Sequence, residues 1–427
     1  MSELVQRYLD HIRDEHADVD DGALADYIPE LAGVDPDGFA LSLAMADGYI
    51  YESGDAGREF TIQSISKPFT YALALDQIGV DAVDAKIGVE PSGDAFNEIS
   101  VDSATKIPKN PMINAGAIAA VSLIPASSPD ARFGLIQEFY SAFVGRHLEV
   151  DDDVYQSEKA TGSRNRAIGY MLESFGVLDD DPDEVLDVYY RQCALRVTST
   201  DLASMGATLA RGGVHPEFGR VTTAAVVKRT LSVMVTCGMY DAAGDWVSAV
   251  GMPAKSGVGG GIVAVLPGQL GIGVYSPKLD DKGNSVRGVR VCRSLSEELG
   301  LHFLTVRRDS LATLRNIYEP HAGVRIYETH GDLLFSGAEQ VVRVVDEERD
   351  LFEVAILDVS RVDDIDDAAR SLLAGMAAEL QDEGKQGLLV DPDGAVIASG
   401  TDLASVRFSS ADDALAAAQQ WLGRRDR

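Results

Sequence analysis

The chain has 427 residues, 45% of them hydrophobic, with a formal net charge of −31 and three cysteines. That length accommodates two or three domains, each with a core of its own, and the negative balance opposes binding to nucleic acid or to an anionic membrane surface. The sequence has no apolar run of spanning length and no basic segment ahead of an apolar one at its start, so the expectation is a cytoplasmic protein that does not enter a membrane.

In chain order, Val5, Leu9 and Ile12 recur at helical spacing among charges and predict an amphipathic helix packed on the body. Ser64-Ile65-Ser66-Lys67 leads into Pro68 and the apolar run Phe69, Tyr71, Leu73 and Leu75, a second helix. Pro68 has no N–H to give to a carbonyl one turn back, so its first turn is expected to be tight or distorted. Asn110-Pro111 is a turn before a buried helix over Ile113 to Ile124. Ser163 is a candidate cap for a helix through Ile168, Met171 and Leu172 that ends near Gly176, and another helix ends at Arg211-Gly212.

From Lys255 the pattern changes. Gly257-Val258-Gly259-Gly260-Gly261 precedes two strands, Ile262 to Leu266 and Gly271 to Tyr275, with a turn at Pro267-Gly268. The glycines lack the spacing of a phosphate loop and lead into a strand, so they read as a bulged strand edge or as backbone lying close to a ligand. A helical pattern through Leu311, Leu314, Ile317 and Tyr318 breaks at Glu319-Pro320-His321-Ala322-Gly323, which divides the chain into a first domain (1–308), a linker (309–323) and a second domain (324–427). In the latter, Val324 to Tyr327, Leu333 to Phe335, Phe352 to Leu357 and Leu388 to Val390 read as strands, and Ala338 to Glu348, Ile365 to Leu380 and Leu415 to Leu422 as helices, a small α/β unit.

Cys193, Cys237 and Cys292 are far apart and in no C-x-x-C pattern, as expected of buried thiols in a reducing compartment. The seven histidines are scattered without metal-ligand spacing, so neither a metal nor an organic cofactor is expected.

The chemistry is carried by Ser64 and Lys67. A spacing of three puts both on one face of a helical turn, and a lysine held neutral can take the proton that a serine must lose to attack a carbonyl. A serine at a helix start also offers its own amide to an oxyanion. Downstream follow Ser163-Arg164-Asn165 and Lys255-Ser256-Gly257, so the order is S-x-x-K, S-x-N, K-S-G, that of the penicillin-recognising serine enzymes.

More of the first domain resembles the serine-dependent glutaminases, which share that fold. The resemblance runs through Tyr27-Ile28-Pro29, Gln63-Ser64-Ile65-Ser66-Lys67, Glu90-Pro91-Ser92-Gly93, Asn110 to Ala117, Gln156-Ser157-Glu158, Arg164 to Tyr170, Cys237 to Asp241, Pro253 to Val258 and Asp280 to Ser285. It implies an α+β fold, a β-lactamase-like antiparallel sheet flanked by helices plus a helical cluster. It also implies hydrolysis of the side-chain amide of L-glutamine through an ester on Ser64, with Lys67 as base and the amides of Ser64 and Val258 as oxyanion donors. Tyr240 would relay a proton or steady the amine. Tyr27, Asn114, Glu158, Asn165 and Tyr189 would bind the substrate, Glu158 as counterion of the α-ammonium. The resemblance further implies a homodimer or homotetramer. Taken singly, a residue such as Asn114 is more often a satisfied core amide, Tyr27 and Tyr189 are more often packing aromatics, and Glu158 is more often a surface charge; only their joint match to one family gives them roles.

The second domain resembles a STAS domain, the module of sulfate transporters and anti-sigma-factor antagonists, through Val354 to Ser360 and Ile365-Asp366-Asp367-Ala368-Ala369. Asp367 stands where antagonists carry a phosphorylatable Ser or Thr, so the resemblance implies a constitutive docking or dimerisation surface for a protein partner. Two other readings stand beside a glutaminase: a β-lactam or peptidoglycan hydrolase, and a STAS-based regulator whose first domain senses a ligand.

Overall fold

The computed structural model describes residues 3–92, 101–305, 314–392, 394 and 407–425. Two compact units emerge, one built chiefly from Leu9–Ser296 and the other chiefly from the residues after Leu304.

The centre of the first unit is a five-stranded antiparallel sheet in the order Ile50–Gly54, Ala40–Met45, Leu270–Tyr275, Gly261–Leu266, Ala254–Ser256. The three inner strands are buried at every position, so both faces are covered and the strands read as continuous apolar runs. Only the edge strand Ile50–Gly54 alternates, with Tyr51 and Ser53 in and Glu52 and Gly54 out. The two strands expected after the glycine run thus form within a residue of their predicted ends.

One face of the sheet is covered by the helix Ser199–Ala210, which opens on a capping box: Asp201 N donates to Thr198 Oγ1 at 3.1 Å and Thr198 N to Asp201 Oδ2 at 2.7 Å. Helix and strand meet almost backbone to backbone. A Cβ on Gly273 would stand 1.9 Å from Ser199 O, and one on Gly271 would stand 2.2 Å from Ala207 N. Only glycine permits that approach. Beyond it, Ser66–Ile78, Asn114–Ser122, Pro129–Val144, Ser163–Ser174 and Pro182–Cys193 form a helical cluster around a core that includes Phe69, Ile118, Tyr140, Phe143 and Leu186. The expected amphipathic helix is Glu3–Glu15, with Val5, Leu9 and Ile12 buried.

Ser163 is the first residue of its helix rather than the cap. Gly162 occupies the cap position, where any Cβ would lie 2.1 Å from Tyr190 Oη, and the Tyr190 hydroxyl donates to Gly162 O at 3.1 Å. Tertiary packing on a tyrosine therefore sets this helix start.

The second unit holds a sheet in the order Leu314–His321, Val324–Thr329, Val354–Asp358, Gln386–Val390, Arg407–Phe408, parallel except for its first pair. The helices Phe335–Glu347, Asp367–Asp382 and Ala411–Arg425 connect and cover it. Leu314–His321, expected as the end of a helix and as linker, is instead an edge strand in a hairpin closed at Gly323, whose φ of +78° suits a tight turn. Register shifts between Leu314 and Asn316 and between Tyr318 and His321 break its alternation, so its apolar residues mimic helical spacing. Pro320 is tolerated there because the strand lies at the edge. Leu311 falls outside the described residues. Phe335 opens a helix instead of ending a strand, and Ile365 ends the strand Val362–Ile365, so the following helix begins at Asp367 behind the cap Asp366, whose Oδ1 accepts from Ala369 N at 2.7 Å. Among the described residues no helix is long and apolar enough to cross a membrane.

Candidate active site

Ser64 sits in a 3₁₀ turn, Gln63–Ile65, that runs directly into the helix Ser66–Ile78, and Lys67 lies in that helix's first turn. The distorted entry expected from Pro68 is this 3₁₀ segment. Gln63 takes a left-handed φ of 49°. A non-glycine residue held this way next to a candidate nucleophile is strain that the surroundings must maintain. The surroundings are the glycine run. Gly257 and Gly259 are packed so that a Cβ on either would meet Ile62 O at 3.0 Å or Thr61 O at 2.6 Å, so the hairpin turn between Ala254–Ser256 and Gly261–Leu266 is pressed against the backbone just before Ser64. The turn's own hydrogen bonds run from Gly257 N to Gly261 O and from Gly260 N to Gly257 O, and neither uses the Val258 amide.

A cavity of about 300 Å³ opens over this turn, lined by Tyr27, Ser64, Asn114, Glu158, Asn165, Tyr189 and Val258. Seven of the nine predicted site residues thus share one chamber. Lys67 lies beneath it, fully buried, and reaches it through Asn114: Lys67 Nζ donates to Asn114 Oδ1 at 2.6 Å, and Asn114 Nδ2 donates to Asn165 Oδ1 at 2.9 Å. Burial lowers the Lys67 amine to about 8, so a substantial neutral fraction exists near neutral pH. Tyr240 lines a neighbouring cavity of about 420 Å³ together with Ile113 and Cys237. Its hydroxyl nonetheless interacts with the Ser64 side chain and donates to Ser256 O at 3.2 Å. Burial pushes this phenol up to about 12, and its backbone is also left-handed, with a φ of 55°.

In the same chamber, Glu158 is 7% exposed and accepts from the Tyr27 hydroxyl at 2.7 Å. Burial raises its carboxyl above the usual range, opposed by the hydrogen bonds of Tyr27 and Gln63. Both partners are neutral, so the carboxylate's charge is left for a cationic ligand to match. The chamber therefore brings together a serine hydroxyl and a buried carboxylate, lined by amides and phenols, with the low-pKa amine buried behind Asn114.

A family model described as Glutaminase matches residues 22–304. The chain belongs to the glutaminase family. It is accordingly a hydrolase, and its relatives bear the same name: it is 43% identical to the glutaminase of Corynebacterium glutamicum over 91% of this chain and 94% of that one. It is 50% identical to that of Microcystis aeruginosa over 71% of this chain and 90% of that one. Against glutaminase 2 of Bradyrhizobium diazoefficiens it is 46% identical over 86% of this chain, and the match spans 62% of the relative's length. Among solved structures, one described as Mglu superposes with a TM-score of 0.70 at 44% identity, covering 91% of this chain and 98% of that one. Another, described as the probable glutaminase ybaS, gives 0.69 at 42% identity over 71% and 99%. The mixed α+β architecture is thus that of solved glutaminases.

Four residues of the site escaped the sequence reading of roles. Gln63 and Cys193 line the chamber, Lys255 is buried beside Tyr240, and Asn284 accepts from Ser256 Oγ at 2.5 Å. Lys255 had a signal, the K-S-G triplet, and Asn284 lies in a quoted motif. For Gln63 nothing in the sequence announces a left-handed backbone. Cys193, Cys237 and Cys292 are all buried free thiols, and burial pushes Cys193 up to about 12, which makes it an inert wall rather than a nucleophile.

Proposed function

We propose that the chain hydrolyses the side-chain amide of L-glutamine to L-glutamate and ammonia by a Ser-Lys acyl-enzyme mechanism, without metal or organic cofactor. The observation that carries this reading is the hydrogen bond from Lys67 to Asn114 under the floor of a chamber that holds Ser64 and Glu158 together. Glu158 pairs with the substrate's α-ammonium, while Tyr27, Asn165 and Tyr189 hold the carboxylate and set the direction of the chain. Neutral Lys67 takes the Ser64 proton as Oγ adds to the amide carbon. The oxyanion is held by the amides of Ser64 and Val258, an arrangement in which each donor contributes about 3–4 kcal/mol to lowering the barrier. The proton then passes to the leaving nitrogen, by way of the Tyr240 hydroxyl, and the C–N bond breaks to give ammonia and a glutamyl ester on Ser64. Water, deprotonated by the regenerated amine, cleaves the ester and restores the Ser64 hydroxyl.

Several relatives named glutaminase match only about 300 residues of this chain, which supports placing the chemistry in the first unit. The second unit serves as a STAS-like regulatory or assembly domain, either docking a protein partner or stabilising a homodimer or homotetramer. Its mostly parallel sheet, and the strand Val354–Asp358 followed by a helix from Asp367, support that reading. The enzyme is placed in the cytoplasm. A coupled ammonia and glutamate assay across glutamine and asparagine tests the activity. Ser64→Ala should abolish turnover with an unchanged circular dichroism spectrum, and near-normal turnover would remove Ser64 as nucleophile.

A further inference from the structure

Lys67 and Lys255 are the two fully buried lysines among the described residues, and the reaction above uses only the first. Lys255 lies on the edge strand Ala254–Ser256, paired with Val263. Its Nζ stands 3.7 Å from the centroid of the Tyr240 ring, whereas the other lysine and arginine approaches to rings among the described residues fall between 5.3 and 6.0 Å. The same amine donates to Ser256 O at 2.8 Å, the carbonyl that also accepts from the Tyr240 hydroxyl at 3.2 Å. One amine therefore grips the ring at its face and shares the acceptor at its tip.

We propose that Lys255 is a positioning residue for the reaction: it fixes the Tyr240 ring so that the hydroxyl stays on Ser64. This rests on the reading of Tyr240 as the group that relays the proton. Tyr240 needs such a grip because its left-handed backbone is one that a bulky side chain does not hold by itself. A residue present only to fill space would be apolar, since burying an amine costs free energy that a methionine of similar length does not. Burial and the neighbouring Lys67 push the Lys255 amine well below the usual lysine range. Its N–H groups meet the electron-rich face of the ring.

The test is a double-mutant cycle on the full chain, with kcat and KM for glutamine and the melting temperature measured for Lys255→Met, Tyr240→Phe and the double variant. Lys255→Met should lower kcat by tenfold or more with KM within about threefold of wild type, and Lys255→Gln, which keeps N–H donors, should recover part of the loss. In the Tyr240→Phe background the Met substitution should cost less than twofold, because the group it positions is gone. A Lys255→Met enzyme with kcat within threefold of wild type, a loss confined to KM, or an equal fold loss in both backgrounds would overturn the proposal. Should Lys255→Met fail to fold, the same cycle with Lys255→Leu, which also lacks N–H donors, gives the answer, an unchanged kcat or an equal loss in both backgrounds again counting against it. Wild-type turnover by Tyr240→Phe alone would sink the relay reading and this proposal with it, whereas an impaired Tyr240→Phe beside an unaffected Lys255→Met sinks only the latter.

Discussion

Lys67 Nζ donates to Asn114 Oδ1 at 2.6 Å, and that neutral amide is the amine's polar partner beneath the chamber. An amide oxygen accepts the bond with far less pull toward the charged ammonium than a carboxylate would exert.

The first prediction follows from the amine itself. Burial lowers Lys67 from its usual value to about 8. If its neutral form is the base, kcat/KM should rise with pH through an apparent pKa of about 8 and level off above it, since kcat/KM reports the free enzyme. The linkage to stability has the same sign. Between about 8 and the unfolded value the unfolded chain binds the extra proton, so this group's contribution to stability grows as pH rises across that window. A rate profile from pH 6 to 9.5 checks this, and a rising limb centred below 6.5 would exclude Lys67 as the base.

Replacing the amide by a carboxylate reverses the design. Asn114→Asp places a negative charge on the Lys67 amine, which favours the ammonium. The rising limb of the kcat/KM profile should move up by at least about one pH unit, and kcat at pH 7.5 should fall by tenfold or more. An unshifted limb would mean that Asn114 does not govern the base.

Glu158→Gln keeps the size and the hydrogen bond with Tyr27 but deletes the charge. A hydrogen bond to a charged group contributes roughly 1.5–3 kcal/mol, so KM for glutamine should rise by at least about tenfold while kcat changes less. Steady-state kinetics decide, and unchanged constants would remove Glu158 from substrate binding.

Gly273→Ala tests the scaffold. The added methyl would stand 1.9 Å from Ser199 O, which belongs to a capped helix that cannot yield without breaking its cap. Overpacking of this kind costs about 1–3 kcal/mol, so thermal denaturation should show the first unit melting several degrees lower. Loss of activity should follow melting and not precede it.

Much of this molecule was legible in one dimension. The S-x-x-K spacing, the proline after it and the apolar run predicted a tight turn entering a buried helix, and that is the observed entry at Gln63–Ile78. The misreadings have physical causes. Leu314 to Tyr318 looked helical because bulges in an edge strand disturb its alternation, and Ser163 looked like a cap because the contact of Gly162 with Tyr190 is long-range.

What the order of residues determined was local: periodicity, turn chemistry, and a hydroxyl and an amine one helical turn apart, all set by interactions across a few neighbours. The fold alone decided that residues from Tyr27 to Val258 line one chamber, that Asn114 rather than a carboxylate meets Lys67, and that Lys255 lies over Tyr240. Those relations depend on burial and on contacts between distant segments, and it is burial that lowers an amine's affinity for its proton.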